Sequence, residues 1–216
     1  MTIKAVIFDL DGTLLNTIED LTNSVNFALC RFGFPELTIK EVNSFVGDGV
    51  AKLIERSLPN GLLNPDFNNC LETFKEHYEN NMCVKTKPYG DILKMLSSLK
   101  EKGIKCAVVS NKFDLAVKGL TKKYFGDLID IEIGESEELG IKKKPSPDMV
   151  FRVLEKLNLK KEEVLYVGDS DTDILTAKNS GIKCISVSWG FRNREFLIKN
   201  GAQTIIDKPG ELLNSV

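Results

Sequence analysis

Near the N-terminus the chain has the stretch Ile3-Lys-Ala-Val-Ile-Phe-Asp9-Leu-Asp11-Gly12-Thr13. Its first part is short, apolar and rich in branched residues, which indicates a buried strand. Two carboxylates, Asp9 and Asp11, follow directly, and Gly12 permits the backbone to turn after them. We therefore predict a buried strand that carries a pair of acids at its carboxyl end.

Downstream of Pro88, strand-like and helix-like segments alternate along the chain. The predicted strands are 105–109, 129–133, 164–167, 184–187 and 204–206, and the predicted helices are 91–102, 112–124, 147–157 and 172–180, with a short helix at the C-terminus. Strands that alternate with helices are typical of βαβ units and a parallel sheet covered by helices on both faces. The predicted fold class is α/β, a doubly wound, Rossmann-like parallel sheet.

A stretch of different character, residues 17–81, separates the first strand from this region. Its apolar residues recur every three to four positions without strand-like alternation, which predicts about four helices. Breaks are expected near Gly33, at Gly47–Gly49 and between Pro59 and Pro65. We predict a core domain of residues 1–15 and 86–216, with an α-helical domain of residues 16–85 inserted into it.

The composition excludes several classes of protein. The 216 residues are 42% hydrophobic and 28% charged, as in a globular protein, and no apolar run approaches the length of a membrane span. Five scattered cysteines without a CxxC pair indicate reduced thiols, and the apolar N-terminal stretch is too short for a signal peptide. A net charge of −2 gives no basic surface for nucleic acid. We expect a cytoplasmic protein with no membrane or nucleic-acid partner, as a monomer or homodimer.

The chain contains a single histidine, His77. A Ser-His-Asp hydrolase or a histidine-rich metal site would depend on this one residue. Because it lies on the last predicted helix of the insert, we expect it to have a packing or surface role. The acidic residues are therefore the better candidates for catalysis.

Polar clusters recur at the predicted strand ends. They are Asp9-Leu-Asp11, Ser110-Asn111-Lys112, the Lys142-Lys-Lys144 loop and Gly168-Asp169-Ser-Asp171-Thr-Asp173. Because ligands of such sheets bind beyond the carboxyl ends of the strands, we expect these clusters to share one crevice. Crowded carboxylates require a cation, and oxygen ligands favour Mg²⁺. Together with lysine and serine, this set suits phosphoryl transfer.

In order and spacing, DLDGTL, VVSN, a Lys-Pro pair and GDSDTD resemble the motifs of the haloacid dehalogenase superfamily of phosphatases. The resemblance spans the whole chain, and the insert is similar to the small helical cap of that family. It implies that Asp9 is a nucleophile that forms an aspartyl phosphate and that Asp11 is the general acid and base. It also implies that Lys144 pairs with the nucleophile and the phosphate.

The same resemblance implies a Mg²⁺ cofactor. Its ligands would be Asp9, the backbone carbonyl of Asp11 and Asp169, with Asp173 supporting the metal site. Phosphate would be bound by Ser110 and the backbone of Asn111, beside the Gly12 turn.

The cap and the acid at position 11 bear on the substrate. Dehalogenases of the superfamily lack an acid there, because a halide needs no proton, so Asp11 favours phosphate esters. The cap segment Phe45-Val-Gly47-Asp48-Gly49-Val50 resembles that of bacterial phosphoglycolate phosphatases, and we predict that Gly47, Asp48 and Gly49 contact the substrate. Asn16 departs from the family, which frequently has Asp there.

The expected partner is a small phosphorylated metabolite, with 2-phosphoglycolate as the best single candidate. A pyrophosphatase or nucleotide phosphatase of the same type is the main alternative. A phosphomutase of the β-phosphoglucomutase kind is disfavoured because residues 16–30 contain no histidine. A non-catalytic binding module is disfavoured because all four motifs are intact.

Some of these residues also have a purely structural explanation. Gly47–Gly49 could be a simple interhelix turn, Ser110 could cap the following helix, and Asp171 could complement a helix dipole. Lys112 is expected to form an ion pair or to contact phosphate. Lys142 and Lys143 are expected to be solvated, and Trp189 and Phe191 are expected to pack rather than to stack on substrate.

Overall fold

The computed structural model describes residues 2–136 and 140–216, and their strands form two sheets. In chain order the strands are β1 (Ala5–Phe8), β2 (Leu15–Asn16), β3 (Lys87–Pro88), β4 (Lys105–Phe113), β5 (Ile131–Glu135), β6 (Val164–Gly168), β7 (Lys183–Val187) and β8 (Ile205–Ile206). Six of them form a parallel sheet in the order β5-β4-β1-β6-β7-β8. The chain winds outwards from β1 in both directions, which confirms the predicted doubly wound α/β fold.

Helices cover both faces of this sheet and form the insert. They are α1 (Ile18–Arg31), α2 (Ile39–Phe45), α3 (Val50–Ser57), α4 (Phe67–Asn81), α5 (Ile92–Glu101), α6 (Asp114–Tyr124), α7 (Asp148–Leu157), α8 (Asp171–Ser180) and α9 (Arg194–Lys199). A 3₁₀ helix, Pro209–Ser215, stands where a C-terminal helix was predicted. Among the described residues, no helix has the length and apolar character that crossing a membrane requires.

The central strand β1 is buried on both faces, as its apolar sequence predicts. Val6 and Phe8 belong to one core cluster, with side chains from α5 and α6. Ala5 and Ile7 belong to the other, with side chains from α7 and α8. Because successive strand residues face opposite sides, a parallel strand between two helical layers is apolar throughout, and its position fixes where Asp9 emerges.

The helices α1–α4 share a hydrophobic cluster, with Val25, Ile54 and Phe74 fully buried in it and Ala116 of α6 joining from the core. The chain leaves and re-enters the core through the antiparallel ribbon of β2 and β3, which pairs Leu15 with Pro88. This ribbon lies close to the predicted domain boundaries at 15/16 and 85/86, which stay a prediction. We refer to α1–α4 as the cap.

The second strand of the core is longer than predicted, and the helix after it starts later. Strand β4 continues through Phe113, whereas helix α6 begins at Asp114 instead of residue 112. A Cβ on Gly134 would lie 2.5 Å from Asp114 Cα, so glycine lets β5 follow β4 closely to its end. The alternative that Ser110 caps this helix is therefore wrong, because Ser110 lies in the extended strand.

Candidate active site

The site lies at the carboxyl edge of the parallel sheet, beside β1. From this strand the strand order proceeds one way through β4 and β5 and the other way through β6, β7 and β8. Asp9 directly follows β1, Asp169 directly follows β6, and Ser110 lies in the last part of β4. Lys144 reaches the same point from the loop before α7. All four are buried, so the topology brings the predicted motifs together at a switch point, where α/β sheets bind ligands.

Lys144 is the cation at the centre of this cluster. Its Nζ lies 2.8 Å from Asp9 Oδ1 and 2.8 Å from Asp173 Oδ1. Burial alone lowers the pKa of Lys144, but Asp173 and Asp9 outweigh this effect, and the pKa lies above its ordinary value. The lysine is therefore charged and is shared between two buried carboxylates.

Asn111 holds the backbone of Lys144 through its side chain. Asn111 Oδ1 accepts from Lys144 N–H at 2.7 Å, and Asn111 Nδ2 donates to the Lys144 carbonyl at 3.0 Å. The same Nδ2 donates to the Gly47 carbonyl of the cap at 3.1 Å. A phosphate contact was expected from the Asn111 backbone, whereas this role of the Asn111 side chain was not predicted.

Asp173 is fully buried, and hydrogen bonds occupy both of its oxygens. Oδ1 accepts from Lys144 and from the Tyr166 hydroxyl, the latter at 3.0 Å. Oδ2 accepts from Ser170 N–H at 3.1 Å and from its hydroxyl at 2.6 Å, which also caps α8. These contacts suit a residue that positions Lys144.

Both carboxylate oxygens of Asp169 accept hydrogen bonds, and the pKa of this residue is nevertheless raised. It accepts from the Thr13 hydroxyl at 3.1 Å and from Phe191 N–H at 2.7 Å. Burial, reinforced by the charge of Asp173, raises the pKa of Asp169 to about 7. A Cβ on Gly12 would lie 2.4 Å from Asp169 Oδ2, so glycine at position 12 makes room for this carboxylate.

The carboxylates form a donor set that fits a hard divalent cation. Asp9, Asp169 and Asp173 each offer an oxygen within 4.8 Å of the others. Burial raises the pKa of Asp9, although Lys144 opposes this, so the cluster disfavours its own negative charge. Only oxygen donors are present in this group, as Mg²⁺ prefers. Asp9 and Asp169 are the better candidate ligands, because Asp173 already accepts four hydrogen bonds.

Asp11 has a separate set of partners from Asp9. Its carboxylate accepts from the Thr17 hydroxyl at 2.7 Å and from Lys112 Nζ at 2.9 and 3.1 Å. Lys112 Nζ also lies 4.5 Å from the ring centre of Tyr78, which belongs to the cap. The ion pair expected for Lys112 is thus formed with Asp11.

The cap and the core line a half-open cavity of about 50 Å³ above these groups. The cap contributes apolar side chains to its wall: Leu21, Val46, Val50 and Leu53. The core contributes polar side chains, including Asp9, Asp11, Ser110, Asn111, Lys112 and Lys144. The reactive groups and the cap therefore face one shared cavity.

The predicted cap loop contributes only in part to this cavity. Gly47 and Gly49 line it. Asp48 instead pairs with Arg56 at 2.5 Å and lines a neighbouring cavity between cap and core, together with Thr172. Among the described residues, Asp48 therefore stands apart from the acids of the site.

The loop after β7 contacts the cap beside the cavity. Phe191 in this loop was expected to pack, and Arg192 was assigned no role from the sequence. Arg192 donates to the Asn43 carbonyl at 2.7 Å and to the Val46 carbonyl at 2.8 Å, and Asn43 donates to the Phe191 carbonyl at 3.2 Å. Phe191 and Arg192 also line the cavity. Their position just after the parallel strand β7 could have indicated this role, because ligands bind at the carboxyl edge of such a sheet.

Three further residues considered in the sequence analysis, Lys143, His77 and Trp189, have structural contacts. The expectation that Lys143 is solvated is wrong: it pairs with Glu135 at 2.5 Å, because the end of β5 lies beside its loop. His77 stacks on Phe27 with ring centres 4.1 Å apart, within the cap. Trp189 donates to the Thr13 carbonyl at 3.0 Å and packs against the core.

Comparison with known proteins agrees with this geometry. Residues 6–187 match the family model described as Haloacid dehalogenase-like hydrolase, which is most of the chain. The chain belongs to this family. As a haloacid dehalogenase-like hydrolase it shares its α/β core with solved members. Membership of the family also explains the order of its strand-end motifs.

Three relatives narrow the enzyme class. A phosphoglycolate phosphatase from Aquifex aeolicus is 36% identical over 189 residues, 87% of this chain and 86% of that protein. A protein from Caldanaerobacter subterraneus subsp. tengcongensis, provisionally named pyrophosphatase PpaX, is 33% identical over 221 residues, 100% and 96% of the two chains. A crystal structure from Lactobacillus delbrueckii subsp. bulgaricus, provisionally named a phosphoglycolate phosphatase, is 35% identical with a TM-score of 0.93 and coverage of 100% and 98%. The hydrolase is accordingly a phosphoric monoester hydrolase.

The raised pKa of Asp169 predicts that the stability of the metal-free protein depends on pH. Between its ordinary value of 3.8 and about 7, folded Asp169 keeps a proton that the unfolded chain has released. The contribution of this group to the free energy of unfolding therefore falls as pH rises through that window. Urea denaturation in chelator should show this fall for the natural protein relative to Asp169→Asn. A difference curve that is flat or rises between these pH values would contradict the assignment.

Proposed function

We propose that this phosphoric monoester hydrolase converts 2-phosphoglycolate to glycolate and phosphate, with Mg²⁺ as cofactor and an aspartyl phosphate on Asp9. One observation carries the proposal: Asp9 and Asp11 line the same cavity but have different partners, Lys144 for Asp9 and Lys112 with Thr17 for Asp11. Two carboxylates in different environments can take different roles. When bound at Asp9 and Asp169, Mg²⁺ would neutralise charge on the phosphoryl group.

In the first step Asp9 acts as the nucleophile. A carboxylate oxygen of Asp9 attacks phosphorus, the bond from phosphorus to the ester oxygen breaks, and Asp11 gives its proton to the leaving oxygen. Lys144, 2.8 Å from Asp9, lowers the repulsion between the carboxylate and the phosphate dianion. Glycolate leaves, and the phosphoryl group remains on Asp9.

In the second step water removes the phosphoryl group. Asp11, now a carboxylate, accepts a proton from the attacking water, and the bond between phosphorus and the Asp9 oxygen breaks. Phosphate leaves and Asp9 is restored. Ser110 and the Asn111 backbone, at the cavity wall, would bind the phosphoryl oxygens during both steps.

The size of the cavity suits a small substrate. About 50 Å³ is room for roughly three to five water molecules, which is comparable to a phosphoryl group with a short organic part. Because the cavity is half open, a nucleotide would extend beyond it into solvent. Pyrophosphate is small enough and is the second candidate, which the similarity to PpaX supports.

A substrate panel tests the proposal directly. With saturating Mg²⁺ and phosphate release as the readout, we expect the highest kcat/KM for 2-phosphoglycolate, with lower values for pyrophosphate and nucleoside monophosphates. Chelation of the metal should remove the activity, and added Mg²⁺ should restore it. A higher kcat/KM for pyrophosphate than for 2-phosphoglycolate would overturn the proposal and favour pyrophosphate hydrolysis as the function.

A further inference from the structure

Three cationic side chains line the cavity within the described part of the chain: Lys112, Lys144 and Arg192. Lys144 lies between the carboxylates of Asp9 and Asp173. The guanidinium of Arg192 donates to two cap carbonyls. Lys112 has one carboxylate partner, Asp11, and its Nζ also lies over the aromatic ring of Tyr78. It is therefore the cation with the most capacity left for a ligand.

Lys112 is charged and fixed in place. Its side chain is 3% exposed, and it lies 2.9 Å from Asp11 Oδ2 and 4.5 Å from the ring centre of Tyr78. Burial lowers the pKa of Lys112, but Asp11 and then Tyr78 outweigh this effect and raise it above its ordinary value. The Tyr78 hydroxyl is a buried polar group beside Lys112.

The position of Lys112 relative to Asp11 places it near the leaving group. In the proposed reaction Asp11 gives its proton to the ester oxygen, and Lys112 Nζ lies within 3.1 Å of both Asp11 oxygens. In 2-phosphoglycolate a single methylene separates the ester oxygen from the carboxylate. A cation that contacts the acid is therefore close to the place that this carboxylate must occupy.

We propose that Lys112 binds the carboxylate of the leaving group and so selects phosphomonoesters that carry a carboxylate next to the ester carbon. This inference rests on the proposed function and deepens it. The Lys112 side chain is 3% exposed and apolar cap residues line the cavity beside it, so an ammonium–carboxylate pair there is screened less than in solution. The competing explanation is that Lys112 only positions Asp11.

Two substrates separate these explanations: 2-phosphoglycolate and 2-hydroxyethyl phosphate, which has CH₂OH in place of the carboxylate. In Lys112→Met we expect kcat/KM for 2-phosphoglycolate to fall on the order of 10- to 100-fold more than kcat/KM for 2-hydroxyethyl phosphate. Loss of Asp11 positioning would lower both values by the same factor, so the ratio of the two substrates is the readout. Lys112→Arg should keep the preference for the carboxylate.

Arg192→Met is the matched control, since it removes another cation from the wall of the same cavity. We expect it to lower kcat/KM for both substrates by one common factor, because Arg192 holds the cap. If Arg192→Met loses the preference and Lys112→Met keeps it, Arg192 binds the carboxylate and our proposal is overturned. Lys112→Gln provides the same comparison if thermal denaturation shows that Lys112→Met does not fold.

The outcomes distinguish this inference from the proposed function. If the natural protein hydrolyses 2-phosphoglycolate with preference and Lys112→Met loses activity equally on both substrates, only the carboxylate-binding role is overturned. If the natural protein does not hydrolyse 2-phosphoglycolate, the proposed function itself is overturned, and the carboxylate-binding role with it.

Discussion

Replacement of Asp9 by asparagine is expected to lower kcat by about four orders of magnitude or more. The amide keeps the shape of the side chain but cannot attack phosphorus, and it cannot balance the charge of Lys144, 2.8 Å away. The fold should persist, because Lys144 keeps Asp173 as a partner and the amide has no charge to bury. Phosphate release and thermal denaturation of the same preparation measure the two effects.

Asp171→Asn is the matched control for this change. It makes the same chemical substitution at the start of α8, at a carboxylate that is not among the described residues lining the cavity. We expect its kcat to stay near that of the natural protein. Substantial turnover by Asp9→Asn would remove Asp9 as the nucleophile. Mass spectrometry of rapidly quenched natural enzyme should detect a phosphoryl group on the peptide that contains Asp9.

Replacement of Lys144 by methionine is expected to damage both stability and activity. It leaves the buried carboxylates of Asp9 and Asp173 without their shared cation, and breaking a buried ion pair by removing one partner costs about 3–5 kcal/mol. It also removes the cation beside the nucleophile, so kcat should fall by about 10²- to 10³-fold. Urea denaturation in chelator and phosphate release with saturating Mg²⁺ measure the two losses.

The double variant Lys144→Met with Asp173→Asn separates the two roles of this lysine. Removing the second carboxylate lowers the negative charge that Lys144 no longer balances, so part of the lost stability should return. The activity should not return, because the nucleophile still lacks its cation. Equal stability in the single and double variants would show that Asp173 and Lys144 are not coupled in the folded protein.

The main features of the fold could be predicted from local sequence patterns. The apolar run before Asp9, the alternation after Pro88 and the helical periodicity of 17–81 correspond to β1, the parallel sheet and the cap. The end of β4 could not be predicted. Whether Ser110–Lys112 is extended or helical depends on the close approach of β5 at Gly134, a contact between segments distant in the chain.

The family, and the acids and the lysine that meet at the carboxyl edge of the sheet, could be predicted from sequence because each motif is a short contiguous run at a strand end or in the loop before a helix. The pairing of these side chains became apparent in the folded molecule. Folding placed Lys112 on Asp11, turned Asp48 towards Arg56 and brought Arg192 onto the cap. The physical reason is that buried charges must find partners, and those partners lie on strands, loops and cap helices that are adjacent only after folding.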